Sequence, residues 1–283
     1  MDALSKQRRL DDALREMGSV LVAYSGGVDS SYLALRAHQL LGAGALAVTA
    51  DSESLPEWQR ASAVDVARRF GFAHRLVTTR ELQNPLYARN ASDRCFHCKT
   101  ELFTTLRPLA AAAGLAHVAY GAIVDDLQDY RPGHRAAAAA GARAPLAEAA
   151  MTKADVRACS RELGLPTWDL PASPCLSSRV AYGVLVTPSV LRQVESAEDA
   201  LRALGFRELR VRHLGPGQAR VEIAAAELLR LEDPVLRAQA EEAVRASGYA
   251  SVVIDPDGYR RGRLNETLGA ERGSGVSSAH GAR

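Results

Sequence analysis

Two stretches of this chain hold residue types whose spacing suits chemistry. The first is Tyr24-Ser25-Gly26-Gly27-Val28-Asp29-Ser30-Ser31. Adjacent glycines allow a turn that side chains would block and let the backbone approach a ligand closely. If a helix starts behind the turn, its unpaired N–H groups point at that ligand and its dipole favours an anion. The hydroxyls of Ser25, Ser30 and Ser31 add donors. The dipole alone supplies only about 0.3–1 kcal/mol, so converging amides must provide most of a phosphate's affinity. The loop is neither a Walker A sequence nor G-x-G-x-x-G. Its competing reading is a glycine turn capped by Ser30. Asp29 suits either Mg²⁺ or a helix cap.

The second stretch is a pair of cysteine segments. Arg94-Cys95-Phe96-His97-Cys98-Lys99 opens a helix and places two thiols close enough to share one metal. A helix start with Arg94 and Lys99 nearby favours thiolate. A complete zinc site needs about four ligands, and the chain has no second C-x-x-C. Cys175 lies in Pro171-Ala172-Ser173-Pro174-Cys175-Leu176-Ser177-Ser178-Arg179, among hydroxyls and an arginine, a setting for a reactive thiol. Cys159 shares a helical stripe with Val156 and Leu163 and reads as a core residue.

These groups need a scaffold. Apolar strands are expected at 19–24, 45–50, 73–79 and 117–122, and helices at 2–17, 56–70 and about 99–113. Strands alternating with helices indicate an α/β fold, a doubly wound parallel sheet whose ligands sit beyond the carboxyl ends of its strands. The phosphate loop follows the first strand. The second strand ends at Ala50-Asp51-Ser52, placing Ser52 beside it. Residues 123–150 read as loop-rich, Thr152 caps a helix running to Leu163, and 165–183 is a long loop of the kind that is usually functional. After Pro188 the pattern changes to a helix (189–204), strands (207–213 and 218–224), a helix (226–247) and a strand (250–254). That is a smaller C-terminal α+β domain. The expected division is 1–183, 184–265 and a disordered tail, 266–283.

Composition narrows the class. Of 283 residues, 47% are hydrophobic and 24% charged, which suits a folded domain rather than a disordered chain. Lys+Arg 35 against Asp+Glu 33 leaves +2, too balanced for a general nucleic-acid binder. No apolar run approaches the roughly 18 residues of a membrane span, and the charged N-terminus lacks a signal-peptide core. A cytoplasmic protein is expected.

SGGVDS resembles the pyrophosphate loop of the N-type ATP pyrophosphatases, which cleave ATP between the α and β phosphates and adenylate a substrate oxygen. Taken with RCFHCK, DDLQDYRPG, WDLPASPCLSSR, RVRH and DGYRRG, in that order from about residue 18 to 265, the chain resembles the LarE family of sulfur transferases. Those enzymes act on pyridinium biscarboxylate mononucleotide in making the nickel-pincer cofactor of lactate racemase. The resemblance implies ATP and Mg²⁺ as cofactors, AMP and pyrophosphate as products, and homo-oligomeric assembly. It implies ATP contacts at Ser25, Gly26, Gly27, Asp29, Ser30, Ser31, Ser52 and Gly121. Arg210, Arg212 and Arg260 would hold the substrate phosphate, with solvated strand charges as the competing reading. Arg179 would stabilise charge on the adenylated carboxylate. Two sulfur chemistries are implied. In one, Cys95, Cys98 and Cys175 hold a [4Fe-4S] cluster; in the other, Cys175 gives up its own sulfur and becomes dehydroalanine. The C-x-x-C pair favours the cluster, and zinc is the bland competitor. GAIVDD, 121–126, stands where the family has a G-T-N-x-D-D-like stretch, so Ala122 and Ile123 remove two polar groups, while Asp125 and Asp126 remain candidates for Mg²⁺ or loop structure. The other readings are a tRNA thiolation enzyme, an amide-forming synthetase and a non-catalytic nucleotide-binding scaffold.

Overall fold

The computed structural model describes residues 2–127 and 132–260. These fall into two compact units, one of residues 2–87, 93–127 and 132–174, the other of 88–92 and 175–260. The break after Pro174 precedes the 183/184 boundary expected from the sequence, and the short 88–92 insertion was not foreseen. The expected tail and residues 128–131 of the DDLQDYRPG stretch lie outside the described residues.

The first unit runs α1 (Ala3–Met17), β1 (Val20–Ala23), α2 (Val28–Leu41), β2 (Ala45–Asp51), α3 (Glu57–Phe70), β3 (His74–Thr78), α4 (Pro85–Ala88), α5 (Arg94–Ala112), β4 (His117–Tyr120), α6 (Val124–Leu127), α7 (Pro132–Ala139), α8 (Pro145–Glu148) and α9 (Lys153–Glu162). The strands form one sheet in the order β3-β2-β1-β4. All its pairs are parallel, with Val20 opposite Ala45 on one side and His117 on the other. Alternate residues leave a strand on opposite faces. Val20, Val22, Ala45 and Ala47 accordingly pack with α1, α2 and α3. Leu21, Leu46 and Val48 pack with Phe103 and Leu106 of α5 and Ala137 of α7. Helices on both faces make this the expected doubly wound α/β architecture. β3 is an edge strand and more exposed than the central pair. Thr152 caps α9 in a reciprocal capping box with Asp155. The segment read as loop-rich carries α6, α7 and α8.

The second unit runs α10 (Pro188–Ala203), β5 (Leu209–Gly215), β6 (Gln218–Ile223), α11 (Ala225–Leu228), α12 (Pro234–Ala246) and β7 (Ser251–Ile254). β5 and β6 are antiparallel, and β6 and β7 parallel. Leu209, Val211 and Val221 pack with α10 and α12. One long helix was expected over 226–247. Two form instead, because Pro234 cannot continue a helix and starts a new one behind the Asp233 cap. Asn90, fully buried with φ 58°, ties the 88–92 segment into this unit. Its Nδ2 donates to the carbonyls of Val180 (3.2 Å), Ala181 (2.8 Å) and Val184 (3.0 Å).

Candidate functional site

In the sheet order, β2 and β3 extend to one side of β1 and β4 lies on the other, so the strand order reverses between β1 and β4 while all strands stay parallel. Ligand crevices form at such a reversal, outside the carboxyl ends of the strands. The loop partnering the phosphate loop there is therefore the one after β4, at Gly121. The end of β2, expected beside the phosphate loop, flanks it on the other side.

Glycine is required at both edges of the crevice. Gly26 has φ +74°, and a Cβ there would come within 2.9 Å of the Ala63 Cβ. At Gly121 a Cβ would meet the Ser30 backbone nitrogen at 3.0 Å. Gly27 ends the turn as the cap of α2 with no side-chain hydrogen bond, so the first-turn amides of α2 keep no side-chain acceptor at the cap. Ser30 Oγ accepts from the Ser25 N–H at 3.1 Å and donates to the Gly27 carbonyl at 3.2 Å. Gln59 of α3 donates to the Ser25 carbonyl at 2.7 Å. Ser25 is exposed at the crevice, while Ser30 and Ser31 are buried and shape the loop from within.

Asp29 Oδ2 pairs with Lys153 Nζ at 2.6 Å. Its other oxygen, Oδ1, is buried with no hydrogen-bond partner among the described residues. Burial pushes the Asp29 carboxyl up, Lys153 partly offsets this, and Asp126 adds to it. A half-neutralised carboxylate with one unused oxygen fits a cation such as Mg²⁺. Asp125 accepts from the Lys153 N–H at 2.7 Å, and Asp126 from the Ile123 N–H at 3.2 Å, so both do loop work. Ser52 lines a cavity of about 320 Å³ with Asp51, Thr78, Thr79, Arg80 and Gln83.

The C-x-x-C pair sits in the first two turns of α5, with Cys95 exposed and Cys98 half-buried, neither in a disulfide. Cys159 is buried in the core, and burial raises its thiol pKa, as expected of a packing residue. Among the described residues, no group of three or more His, Cys, Asp or Glu is arranged to hold a metal ion. Cys95 and Cys98 belong to the first unit and Cys175 to the second, so neither unit alone holds the three-thiolate set.

In the second unit, Cys175 leads a short 3-10 turn, Leu176–Arg179. Three donors converge on the Cys175 carbonyl: the Ser178 N–H at 2.9 Å, Ser178 Oγ at 2.7 Å and Arg179 Nη1 at 3.1 Å. Arg179 is fully buried and grips Glu198 through two bonds, Nε to Oε1 at 2.9 Å and Nη2 to Oε2 at 3.1 Å. Arg179 was expected to act on the substrate carboxylate. With no exposed surface and its donors turned to Glu198, Cys175 and Ser178, it positions the thiol-bearing turn.

Arg210 and Arg212 share one face of β5, the face away from Leu209 and Val211. They are 4% and 6% exposed, so they are not solvated strand charges. Arg212 holds Glu222 at 2.8 Å and the Ser178 carbonyl at 3.0 Å. Arg210 lies over the Tyr259 ring at 4.8 Å, and burial, with Arg179 nearby, pulls its pKa down to about 10. Burial works against charge on Glu198 too, but Arg179, Arg210 and Arg202 more than offset it and hold its carboxyl below the usual range. A buried cluster richer in arginine than in carboxylate attracts an anion. Arg260 is apart from this cluster in character: it is exposed, with Asp257 at 4.0 Å.

Sequence reasoning missed Lys153, Gln59, Glu198 and Glu222. Glu198 left a readable signal, a carboxylate on the buried stripe Leu191, Val194, Leu201 of α10. Lys153 was visible only as one of three lysines in an arginine-rich chain.

No family model matches the chain. An uncharacterised protein of Synechocystis sp. is 43% identical over 264 residues, 93% of this chain and 98% of that protein. The pyridinium-3,5-bisthiocarboxylic acid mononucleotide synthase of Lactiplantibacillus plantarum is 36% identical over 266 residues, 93% of this chain and 95% of the synthase. An uncharacterised protein of Methanocaldococcus jannaschii is 25% identical over 212 residues, 74% of this chain and 81% of that protein. No helix among the described residues is long and apolar enough to cross a membrane. The glycine crevice, the pinned Cys175 turn and the near full-length match to the synthase agree: the chain belongs to the LarE family of pyridinium-3,5-bisthiocarboxylic acid mononucleotide synthases.

Proposed function

We propose that this enzyme is an ATP-dependent sulfur transferase that converts a carboxylate of pyridinium biscarboxylate mononucleotide into a thiocarboxylate. The observation that carries the reading is the glycine turn before α2, where a Cβ on Gly26 would meet Ala63 of α3 and a Cβ on Gly121 would meet the Ser30 backbone at the start of α2. The α2 amides and Ser25 bind the ATP phosphates, Asp29 would hold Mg²⁺ through its unused oxygen, and Lys153 neutralises charge on the departing pyrophosphate. The substrate carboxylate attacks the α-phosphorus, pyrophosphate leaves, and an acyl-adenylate remains. Sulfur then replaces AMP. Arg210 and Arg212 hold the substrate's phosphate.

Cys95, Cys98 and Cys175 would carry the [4Fe-4S] cluster. All three are free thiols, Cys95 exposed and Cys98 and Cys175 partly buried, which is donor chemistry suited to iron. Such a cluster, if bound there, would supply the sulfur that replaces AMP. In the other route the Cys175 thiolate attacks the acyl-adenylate carbonyl and AMP leaves. Loss of the Cα proton and cleavage of Cβ–Sγ then release the thiocarboxylate and leave dehydroalanine.

The test is purification without oxygen, assay of iron, sulfide and zinc, then turnover with ATP, Mg²⁺ and the mononucleotide. AMP and pyrophosphate are expected; ADP and phosphate would refute adenylation. Iron and sulfide lost in the Cys95→Ala variant support the cluster. Mass loss of one H₂S at Cys175 supports the sacrificial route. Salt-sensitive tRNA binding, or activity with ammonia after all three cysteines are changed to Ala, would point to the other classes.

A further inference from the structure

Helix α3 packs against the phosphate loop at consecutive residues. Tyr24 Oη donates to the Ala63 carbonyl at 3.1 Å, and Gln59 Nε2 to the Ser25 carbonyl at 2.7 Å. Gly26 sits so close that a Cβ there would lie 3.2 Å from the Gln59 carbonyl oxygen. Gln59 is 6% exposed, and its Oε1 is buried with no hydrogen-bond partner among the described residues. A carbonyl only accepts, so the Gln59 nitrogen must face Ser25 and the amide cannot turn over to satisfy Oε1. An apolar side chain of the same size would avoid the cost of that orphaned acceptor.

What Gln59 fixes is the peptide plane between Ser25 and Gly26. That peptide is trans, so its C=O and N–H point in opposite directions. Holding the Ser25 carbonyl against α3 therefore aims the Gly26 N–H away from α3. Gly26 is buried, and its N–H has no hydrogen-bond partner among the described residues. Gly26 has φ +74°, but glycine adopts positive and negative φ about equally, so it does not hold the plane by itself. A flipped peptide would put the Ser25 carbonyl oxygen where the N–H now points, and that oxygen repels an anion.

We infer that Gln59 is a positioning residue of the phosphate loop, locking the Ser25–Gly26 peptide so that the Gly26 N–H is presented to a phosphate oxygen. The inference rests on the proposal that this loop binds the phosphates of ATP. Gln59 acts through the backbone of Ser25 and Gly26, not on the phosphate directly.

The experiment uses inorganic pyrophosphate with Mg²⁺, a probe with neither base nor sugar, on the full chain carrying isotope-labelled glycine. In the unaltered protein, pyrophosphate should shift the Gly26 amide resonance. Gln59→Met, similar in size but without a donor, should abolish that shift. It should also weaken pyrophosphate and ATP alike by about tenfold to a hundredfold, the worth of one hydrogen bond to a charged group. Its melting temperature should stay within about 4 °C of the unaltered protein's, because the orphaned acceptor leaves together with the lost hydrogen bond. Gln59→Asn, whose amide is one methylene too short to reach, should give the same loss of binding and covers the case in which Gln59→Met does not fold. Pyrophosphate affinity within about twofold of the unaltered protein's overturns the inference. So does a Gly26 resonance that still shifts in the variants, or a loss of binding matched by a larger fall in melting temperature. An unaltered protein that binds neither pyrophosphate nor ATP would instead overturn the ATP reading on which the inference stands.

Discussion

Replacing Glu198 with Ala tests the link between the buried ion pair and the Cys175 turn. Arg179 and Glu198 are both 0% exposed in their side chains. Glu198 also takes Arg202 at 2.9 Å and the Val211 N–H at 3.2 Å. Removing one partner of such a pair leaves a buried charge without its counter-charge, which costs about 3–5 kcal/mol. Replacing both partners by apolar groups avoids that penalty. The Glu198→Ala/Arg179→Met double variant should therefore cost at least about 2 kcal/mol less than the sum of the single variants. Trp58 and Trp168 both lie in the first unit, so tryptophan fluorescence will not report this loss. Urea unfolding followed by far-ultraviolet circular dichroism gives the energies. Amide hydrogen exchange across β5 and β6 gives the location, with protection lost first there and in the turn after Cys175. Strictly additive energies, or unchanged exchange in the second unit, would refute the reasoning.

Gly26→Ala should lose about 2 kcal/mol or more, from left-handed backbone strain and the close approach to Ala63. Adding Ala63→Gly should relieve only the second part, which thermal melts will show. Lys153→Met should slow AMP formation about tenfold or more while changing stability by less than about 1 kcal/mol, since its pair with Asp29 is partly exposed. Acid should weaken the second unit through Glu198. Its folded pKa is depressed, so its stabilising contribution is present above the ordinary carboxylate value of 4.5 and is lost as pH falls through the lower folded value. Melting of Glu198→Gln should depend less on pH between 5 and roughly 3.

The first unit was legible because its signals are local. Runs such as Val20–Val22 and Ala45–Val48 can be satisfied only by burial on both faces, and Gly26-Gly27 between a strand and a helix has few other uses. Cys159 was readable as core from its helical stripe. What stayed hidden depends on pairing across the sequence. The side of β1 on which β2 lies is not written in either strand, so the place where the strand order reverses, between β1 and β4, was not readable. Arg179 beside Cys175 looked available to a substrate because nothing near it in sequence announces Glu198. The same holds for Arg210 and Arg212, whose burial depends on Glu222 and Tyr259. Residues 88–92 are too short to show in sequence that they pack with the later unit.

That five-residue excursion constrains how the protein comes into being. Asn90 leaves the ribosome long before Val180, Ala181 and Val184, the three carbonyls that receive its amide. The nascent chain must carry this stretch unsatisfied until the later half is synthesised. Neither unit is a continuous length of chain, so neither can be cut out or exchanged between relatives by one simple splice.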